Sequence, residues 1–196
     1  MKIYAKLINN QLEYPGNTLI LNSRECTKMV FATAEYLENG YKELVQTPQP
    51  TIKWFEQCVV SYGENDIQIV EQWEVKPLDN LKDIYKTKSN NKCDMTIAFG
   101  FTFIDNQGIT HQVRATETDQ WNYFNSKEPF PCEIKVWEDD YYVFQTQIEL
   151  DRFRTELEKH IIYTLKIVCW GEKRAIIGMT NQEIYEYLQV SDPFGS

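Results

Sequence analysis

The sequence predicts an α+β protein in which antiparallel β-hairpins pack with helices in two linked lobes, with a long C-terminal helix. Three observations support this prediction. Alternating polar and apolar residues flank short turns, and the clearest turn is 105–108 (DNQG), whose glycine can take a positive φ. No helix breaker occurs between Leu150 and Trp170. A polar, asparagine-rich stretch at 87–94 separates the two halves and is predicted to be a linker.

The first lobe, residues 1–86, is predicted to contain hairpins and two helices. Ser23 is a candidate N-cap for the first helix, which has Met29 and Val30 among its apolar residues. Asn39 and Gly40 end that helix, because these residue types favour the left-handed conformation of a C-terminal cap. The predicted elements are strands 3–7 and 12–14, helix 23–37, strands 41–45, 58–62 and 67–75, and helix 77–86.

The second lobe, residues 95–190, is predicted to hold two more hairpins and the long helix. Thr116 and Asp119 have the spacing of a capping box. Gly178 with Thr180 and Glu183 marks the end of one helix and the start of the next. Residues 191–196 are expected to form a loose tail. The predicted elements are strands 95–104 and 109–115, helix 116–124, strands 133–137 and 141–145, and helices 146–169 and 181–188.

Composition narrows the class of protein. Of the 196 residues, 42% are hydrophobic and 14% are aromatic, which favours a packed core over disorder. The first explanation for the high aromatic content is packing in a strand-rich core, and the second is contact with other proteins. The formal net charge of -9 disfavours nonspecific binding to nucleic acid or to anionic membranes. The densest basic cluster is interpreted as solvated surface because acids interrupt it; it consists of Lys82, Lys86, Lys88 and Lys92.

The reactive residue types are scattered along the sequence. The five cysteines are odd in number and contain no C-x-x-C pair, so neither a disulfide framework nor a zinc site is expected. No local signature places His111 or His160 beside a nucleophile. The acidic segment 138–140 lacks the ligand spacing of a calcium loop. Glu117 and Asp119 are explained by their place at a helix N-terminus, where the helix dipole favours acidic side chains. The prediction is a protein without catalytic residues, metal or cofactor, and therefore not an enzyme.

Targeting signals are also absent from the sequence pattern. The first fifteen residues mix charged and amide side chains, unlike a signal peptide, and no run approaches the roughly 18 apolar residues of a membrane span. We expect a protein that is made in a cytoplasm and stays soluble there.

The long helix has two apolar faces. One is expected to pack on the second-lobe hairpins and consists of Phe153, Leu157, Ile161, Leu165 and Val168. The opposite face carries more apolar surface than one sheet needs, so part of the helix is predicted to contact another subunit. The candidate interface consists of Ile162, Cys169 and Ile176 on that face, with Tyr141 and Tyr142 of the last hairpin.

Two segments resemble bacteriophage virion proteins. The opening MKIYAKLINNQLEYP is similar to the start of small phage tail proteins, as are the ENGYKEL element at 38–44 and the proline-rich exit at 47–50. The second half resembles a domain of unknown function found in phage tail and tail-fibre proteins. Its pattern AT-x-x-DQ-x-N begins here at Ala115, and Trp137 and His160 match its later positions.

This resemblance implies a structural role in a virion, in the tail, the neck or a fibre-associated position. The partners would be copies of the chain or neighbouring virion proteins, and the protein would be found in the virion and, during assembly, in the host cytoplasm. The stretches 17–39 and 76–92 depart from the usual layout and leave the virion position open. Two alternatives stay open: a tail assembly factor or chaperone that is absent from the particle, and a small cytoplasmic enzyme.

Overall fold

The computed structural model describes residues 2–21, 24–27, 31–127, 129–138 and 140–195. The chain is α+β, as predicted, and divides into two compact units, Met1–Leu78 and Asp79–Ser196. The strands are β1 (Ile3–Ile8), β2 (Gln11–Glu13), β3 (Thr18–Leu21), β4 (Arg24–Thr27), β5 (Lys42–Val45), β6 (Glu56–Glu64), β7 (Gln68–Pro77), β8 (Phe101–Ile104), β9 (Thr110–Val113), β10 (Cys132–Lys135) and β11 (Tyr141–Phe144). The helices are α1 (Thr33–Glu38), α2 (Leu81–Phe99), α3 (Glu117–Asn125), α4 (Gln147–Tyr163), α5 (Trp170–Ala175) and α6 (Asn181–Val190), with a π-helical segment, Thr164–Cys169, between α4 and α5. Among these described helices, none has the length and apolar character needed to cross a membrane.

The N-terminal unit is built on a five-stranded sheet with the order β2-β1-β5-β7-β6. Only β5 and β7 run parallel, and the other neighbours are antiparallel. The predicted opening hairpin is present: Leu7 pairs with Leu12 across a turn in which Asn9 and Asn10 have φ of 52° and 61°. Asparagine tolerates this left-handed conformation better than most residues, which is why the two-residue turn forms here.

The first predicted helix begins at the wrong place. Strands β3 and β4, Thr18–Leu21 and Arg24–Thr27, pair antiparallel here instead, with Leu19 opposite Cys26, and α1 begins only at Thr33. Its start is stabilised by the Glu35 carboxylate, which accepts a hydrogen bond of 2.7 Å from the backbone N–H of Ala32. The proposed cap Ser23 and the apolar residues Met29 and Val30 lie outside the described residues.

The predicted linker 87–94 is also wrong, because these residues lie inside α2. The buried face of α2 carries Leu81, Tyr85, Ser89 and Cys93, each four residues after the last. Two of them are small, so the helix can pack closely, and the Ser89 hydroxyl donates to the backbone carbonyl of Cys169 at 3.4 Å. The predicted strand 95–104 is correspondingly short, since α2 continues to Phe99.

In the C-terminal unit, α4 packs against the hairpins β8–β9 and β10–β11. The core is aromatic and centres on Phe153, whose ring lies 5.1–5.8 Å from four other rings. Those four rings belong to Phe101, Phe103, Tyr123 and Phe144. The predicted packing of the long helix on these hairpins is confirmed for Phe153, Leu157 and Ile161, but Leu165 and Val168 do not belong to this cluster.

The π-helical segment changes which residues of the long helix face inward. Leu157 and Thr164 lie on the buried side of α4, two helical turns apart. An α-helix would bring Val168 inward next, but a π turn contains one extra residue, and Cys169 is buried instead. Ile176, seven residues further, is buried with it.

The residues after α6 do not form a loose tail. The Phe194 ring packs edge-on against Tyr85 at 4.9 Å, and the Lys92 amine donates to the carbonyl of Pro193 at 2.8 Å. An aromatic contact and a charge-assisted hydrogen bond thus attach the described tail to α2. Ser196 lies outside the described residues.

Candidate functional site

An exposed apolar face runs along the end of α4, the π-helical segment and α5. We call it the outer helix face, and it consists of Ile162 (49% exposed), Tyr163 (63%), Ile167 (57%), Trp170 (47%) and Ile177 (77%). Tyr163, Ile167 and Trp170 follow one another at spacings of four and three residues, and Ile177 lies just after α5 ends. Contiguous apolar surface of this kind marks interaction sites in proteins.

The five predicted interface residues do not all belong to this face. Ile162 lies on it, and Tyr141 is 52% exposed on β11. Cys169 and Ile176 are corrections: they are 5% and 0% exposed, because the π turn directs them toward α2 and the core. Tyr142 is half-buried, with its ring 5.8 Å from that of Phe103.

The residue pattern did not predict Tyr163, Ile167, Trp170 and Ile177 as interface residues. Helical spacing counted through an uninterrupted α-helix assigns the wrong side to Cys169 and Ile176, which are buried. A π-helical segment has no recognised residue pattern, so the only available signal was the excess of apolar residues around the whole helix.

A basic recess of about 430 Å³ adjoins the outer helix face and shares Trp170 and Ile177 with it. Its described lining contains no carboxylate and has four cations: Lys82, Lys86, Lys173 and Arg174. Lys82 and Lys86 of the predicted basic cluster thus lie beside the cations of α5.

The cations of this recess differ in how they are held. The Lys82 amine donates to the carbonyls of Ile177 and Met179, each at 3.1 Å, just after α5 ends. A cation is favourable there because helix carbonyls point to it. The Arg174 guanidinium forms no ion pair with any residue that the structure describes. Arg174 is therefore available to a carboxylate from outside the chain.

Two buried thiols lie next to this region. Cys93 and Cys169 are both buried, and burial together with the neighbouring Cys169 thiol raises the pKa of Cys93 to about 11. Because the thiolate is the reactive form, neither nucleophilic nor metal-binding chemistry is favoured for Cys93 near neutral pH.

A separate polar cluster lies at the tip of the β8–β9 hairpin. The buried Asp105 carboxylate accepts hydrogen bonds of 2.8 Å from the backbone N–H groups of Gln107 and Ile109, and its second oxygen lies 3.2 Å from His111 Nε2. Burial opposes ionisation of Asp105, but these hydrogen bonds outweigh it and hold the pKa below its ordinary value. Asp140 lies 3.6 Å from His111 Nδ1, whereas Asp139 is outside the described residues.

The cluster continues to the first turn of α4 through Glu149, which is 4% exposed. Its carboxylate accepts hydrogen bonds from the Tyr142 hydroxyl at 2.5 Å, the Asn106 amide at 2.9 Å and the backbone N–H of Gln145 at 2.9 Å. Burial and the Glu149 carboxylate raise the pKa of Tyr142. The hydroxyl is thus a permanent donor at neutral pH.

The cluster has the composition of an acid–base site but the geometry of a structural one. Both oxygens of Asp105 and of Glu149 have donors within the chain, so each carboxylate is already committed to hydrogen bonds. His160, the other histidine, stacks on Phe101 at 5.7 Å and lies 3.3 Å from the carbonyl of Ile97. Within the described residues, no group of three or more His, Cys, Asp or Glu side chains could hold a metal ion.

Comparison of the chain with family models, with curated proteins and with solved structures gives no match.

Proposed function

We propose that this protein is a structural component of a bacteriophage virion and acts by assembly with copies of itself. The observation that carries the assembly role is the outer helix face, where five large apolar side chains are between 47% and 77% exposed. Leaving this surface in water costs free energy that association recovers, at about 25 cal/mol per Å² of apolar area. The phage assignment rests on the AT-x-x-DQ-x-N pattern and the tail-like opening segment.

The charge of the chain supports copies of itself as the partner. The protein carries a formal net charge of -9, whereas the recess beside the outer helix face presents cations without a lining carboxylate. An acidic surface of a second copy would therefore be attracted to this recess, and the neighbouring apolar side chains would be buried in the same contact.

The oligomeric state tests this proposal. Light scattering of the purified protein is expected to give a mass above that of one chain, and Ile167→Asp to shift it to smaller species while circular dichroism stays unchanged. Arg174→Glu is expected to act in the same direction and with less effect. The control is Ile104→Asp, since Ile104 on β8 is 58% exposed and Ile167 is 57% exposed.

A protein that is monomeric both alone and inside the assembled particle contradicts the assembly role. Mass spectrometry of purified particles separates the structural role from its alternative. Many copies per particle support a virion component, and absence from the particle supports the assembly factor.

A further inference from the structure

A polar cleft of about 590 Å³ lies between α3 and β10, away from the outer helix face. Sites for small ligands in proteins have volumes of about 300–1,000 Å³, so the cleft has room for one. One wall contains Trp121 and Asn122 of α3, and the other contains Glu133 and Lys135 of β10. The AT-x-x-DQ-x-N pattern ends at Asn122, inside this cleft.

The α3 wall is held at both of its ends. At the start of α3, the Thr116 hydroxyl donates to the Asp119 carboxylate at 2.6 Å, and Arg114 Nε donates to the same oxygen at 2.9 Å. At its end, the Arg154 guanidinium of α4 donates to the carbonyls of Tyr123 and Phe124, at 3.0 and 3.2 Å. These contacts keep α3 in one position, so the cleft exists before any ligand binds.

A single buried hydroxyl ties the two walls together. Tyr123 is 1% exposed, and its hydroxyl lies 2.9 Å from the carbonyl of Arg114 and 3.2 Å from the carbonyl of Lys135. Burial and the nearby Asp119 raise the pKa of Tyr123, so the hydroxyl keeps its proton. The spacing between α3 and β10 is thereby set by a hydrogen-bonded core side chain.

The charged side chains that line the cleft balance in sign, and two of its polar side chains have no hydrogen-bond partner among the described residues. The Trp121 ring is 67% exposed. Neither Asn122 nor Glu133 forms a side-chain hydrogen bond to another described residue. Among the described lining residues, Arg114 is paired with Asp119, and Lys135 stands two residues from Glu133 on the same side of β10.

We propose that this cleft binds a neutral saccharide. The flat exposed indole of Trp121 can stack on the C–H face of a sugar ring, which is apolar, while the amide of Asn122 and the carboxylate of Glu133 can bind its hydroxyl groups. Because the positive and negative side chains of the cleft balance, the cleft has no net electrostatic attraction for an anion or for a cation. The polar lining in turn disfavours a purely apolar ligand, because its groups would lose water without gaining hydrogen bonds.

The test is a titration of the full chain, observed through the indole N–H signals of its five tryptophans in ¹H–¹⁵N spectra. The ligands are maltotriose, cellotriose and chitotriose, with glycerol and inorganic phosphate as controls. At least one trisaccharide is expected to shift the Trp121 signal in a saturable way. The Trp170 signal, from an indole that is 47% exposed, is expected not to move.

Two variants locate the binding site. Trp121→Ala is expected to weaken the binding at least ten-fold and Asn122→Ala several-fold, both without loss of folding because these side chains are exposed. Trp170→Ala is expected to leave the affinity unchanged. The proposal is overturned if no trisaccharide shifts Trp121 at about 10 mM, where a site with a Kd of about 1 mM is nine-tenths filled. A shift that glycerol or phosphate reproduces overturns it equally.

Discussion

The N-terminal unit buries separate small clusters, one of them aromatic and built on Tyr4, Phe31 and Tyr41, whereas the C-terminal unit contains one larger continuous cluster. In the N-terminal sheet, for example, the buried group of Ala5, Leu44 and Ile69 fills one region of the unit. In the C-terminal unit, ten buried residues form a continuous cluster to which Phe153 is central. A cluster of interlocked rings has few alternative packings, so it holds the elements around it in fixed positions. α3, β10 and α4 contribute residues to this cluster, whereas the π-helical segment and α5, which carry most of the outer helix face, contact α2.

The largest effect is expected from removing the central ring. Phe153→Ala should lower the free energy of unfolding by about 3–5 kcal/mol, because four neighbouring rings lose their contacts. Ile69→Val in the N-terminal sheet should cost only about 0.5–1.5 kcal/mol. Urea unfolding of both variants measures the difference, and equal losses would contradict a special role for the aromatic cluster.

A pair of glycines tests how closely the elements of the C-terminal unit approach. Both Gly100 and Gly108 have positive φ, 87° and 83°. Gly108 is surrounded by open space, so Gly108→Ala should cost about 1–2 kcal/mol for its backbone conformation alone. A Cβ on Gly100 would lie 1.7 Å from the carbonyl oxygen of Val113, so Gly100→Ala should cost clearly more. Similar midpoints of thermal unfolding for the two variants would show that α2 and β9 do not approach so closely.

The hydroxyl that joins the cleft walls should make a measurable contribution. Tyr123→Phe leaves the ring in place and removes a buried hydroxyl that lies within hydrogen-bond distance of the Arg114 and Lys135 carbonyls, which should cost about 1–3 kcal/mol. Tyr141→Phe is a suitable control, because Tyr141 is 52% exposed and water can replace its hydrogen bonds. A Tyr123→Phe protein as stable as the wild type would mean that the hydroxyl does not set the spacing.

The smallest effect is expected in acid. Burial opposes ionisation of Asp119, but Arg114 and Thr116 outweigh it and hold its pKa below the ordinary 3.8. A carboxyl whose pKa is lowered by folding stabilises the protein above its ordinary pKa, and that contribution is lost as the pH falls through the folded pKa. The free energy of unfolding should therefore fall between about pH 5 and pH 2. The Asp119→Asn protein should be less stable at pH 7, and its free energy of unfolding should fall less steeply as the pH is lowered. Parallel curves of the free energy of unfolding against pH for the two proteins would argue against this ion pair.

Local signals in the sequence predicted much of the fold. The turn at Asn9 and Asn10 and the caps at Thr116 and Thr180 depend on residues at most three positions apart, so their patterns are visible in the chain. The linker prediction failed because a polar residue on the buried face of α2 is explained only by a contact with a segment far away in the sequence. Ser89 is buried against Cys169, which lies 80 residues away in the sequence.

The candidate site could be predicted only in part, for a similar reason. Ile162 precedes the π-helical segment and was placed correctly on the exposed side. Cys169 and Ile176 follow it, and one extra residue in a turn moved them to the buried side. The residues of the α3–β10 cleft come from two segments that no pattern in the sequence connects. The N-terminal cap of α3 was recognised from the sequence, but the cleft was not.

The central claim, that the outer helix face joins copies of the chain, is tested most directly by photo-crosslinking. A photoreactive phenylalanine analogue replaces Ile167 in one preparation and Ile104 in another, since the two side chains are 57% and 58% exposed. We expect crosslinked species of twice the chain mass from position 167 and far fewer from position 104. No crosslinked pair from position 167, or equal yields from both positions, would contradict it.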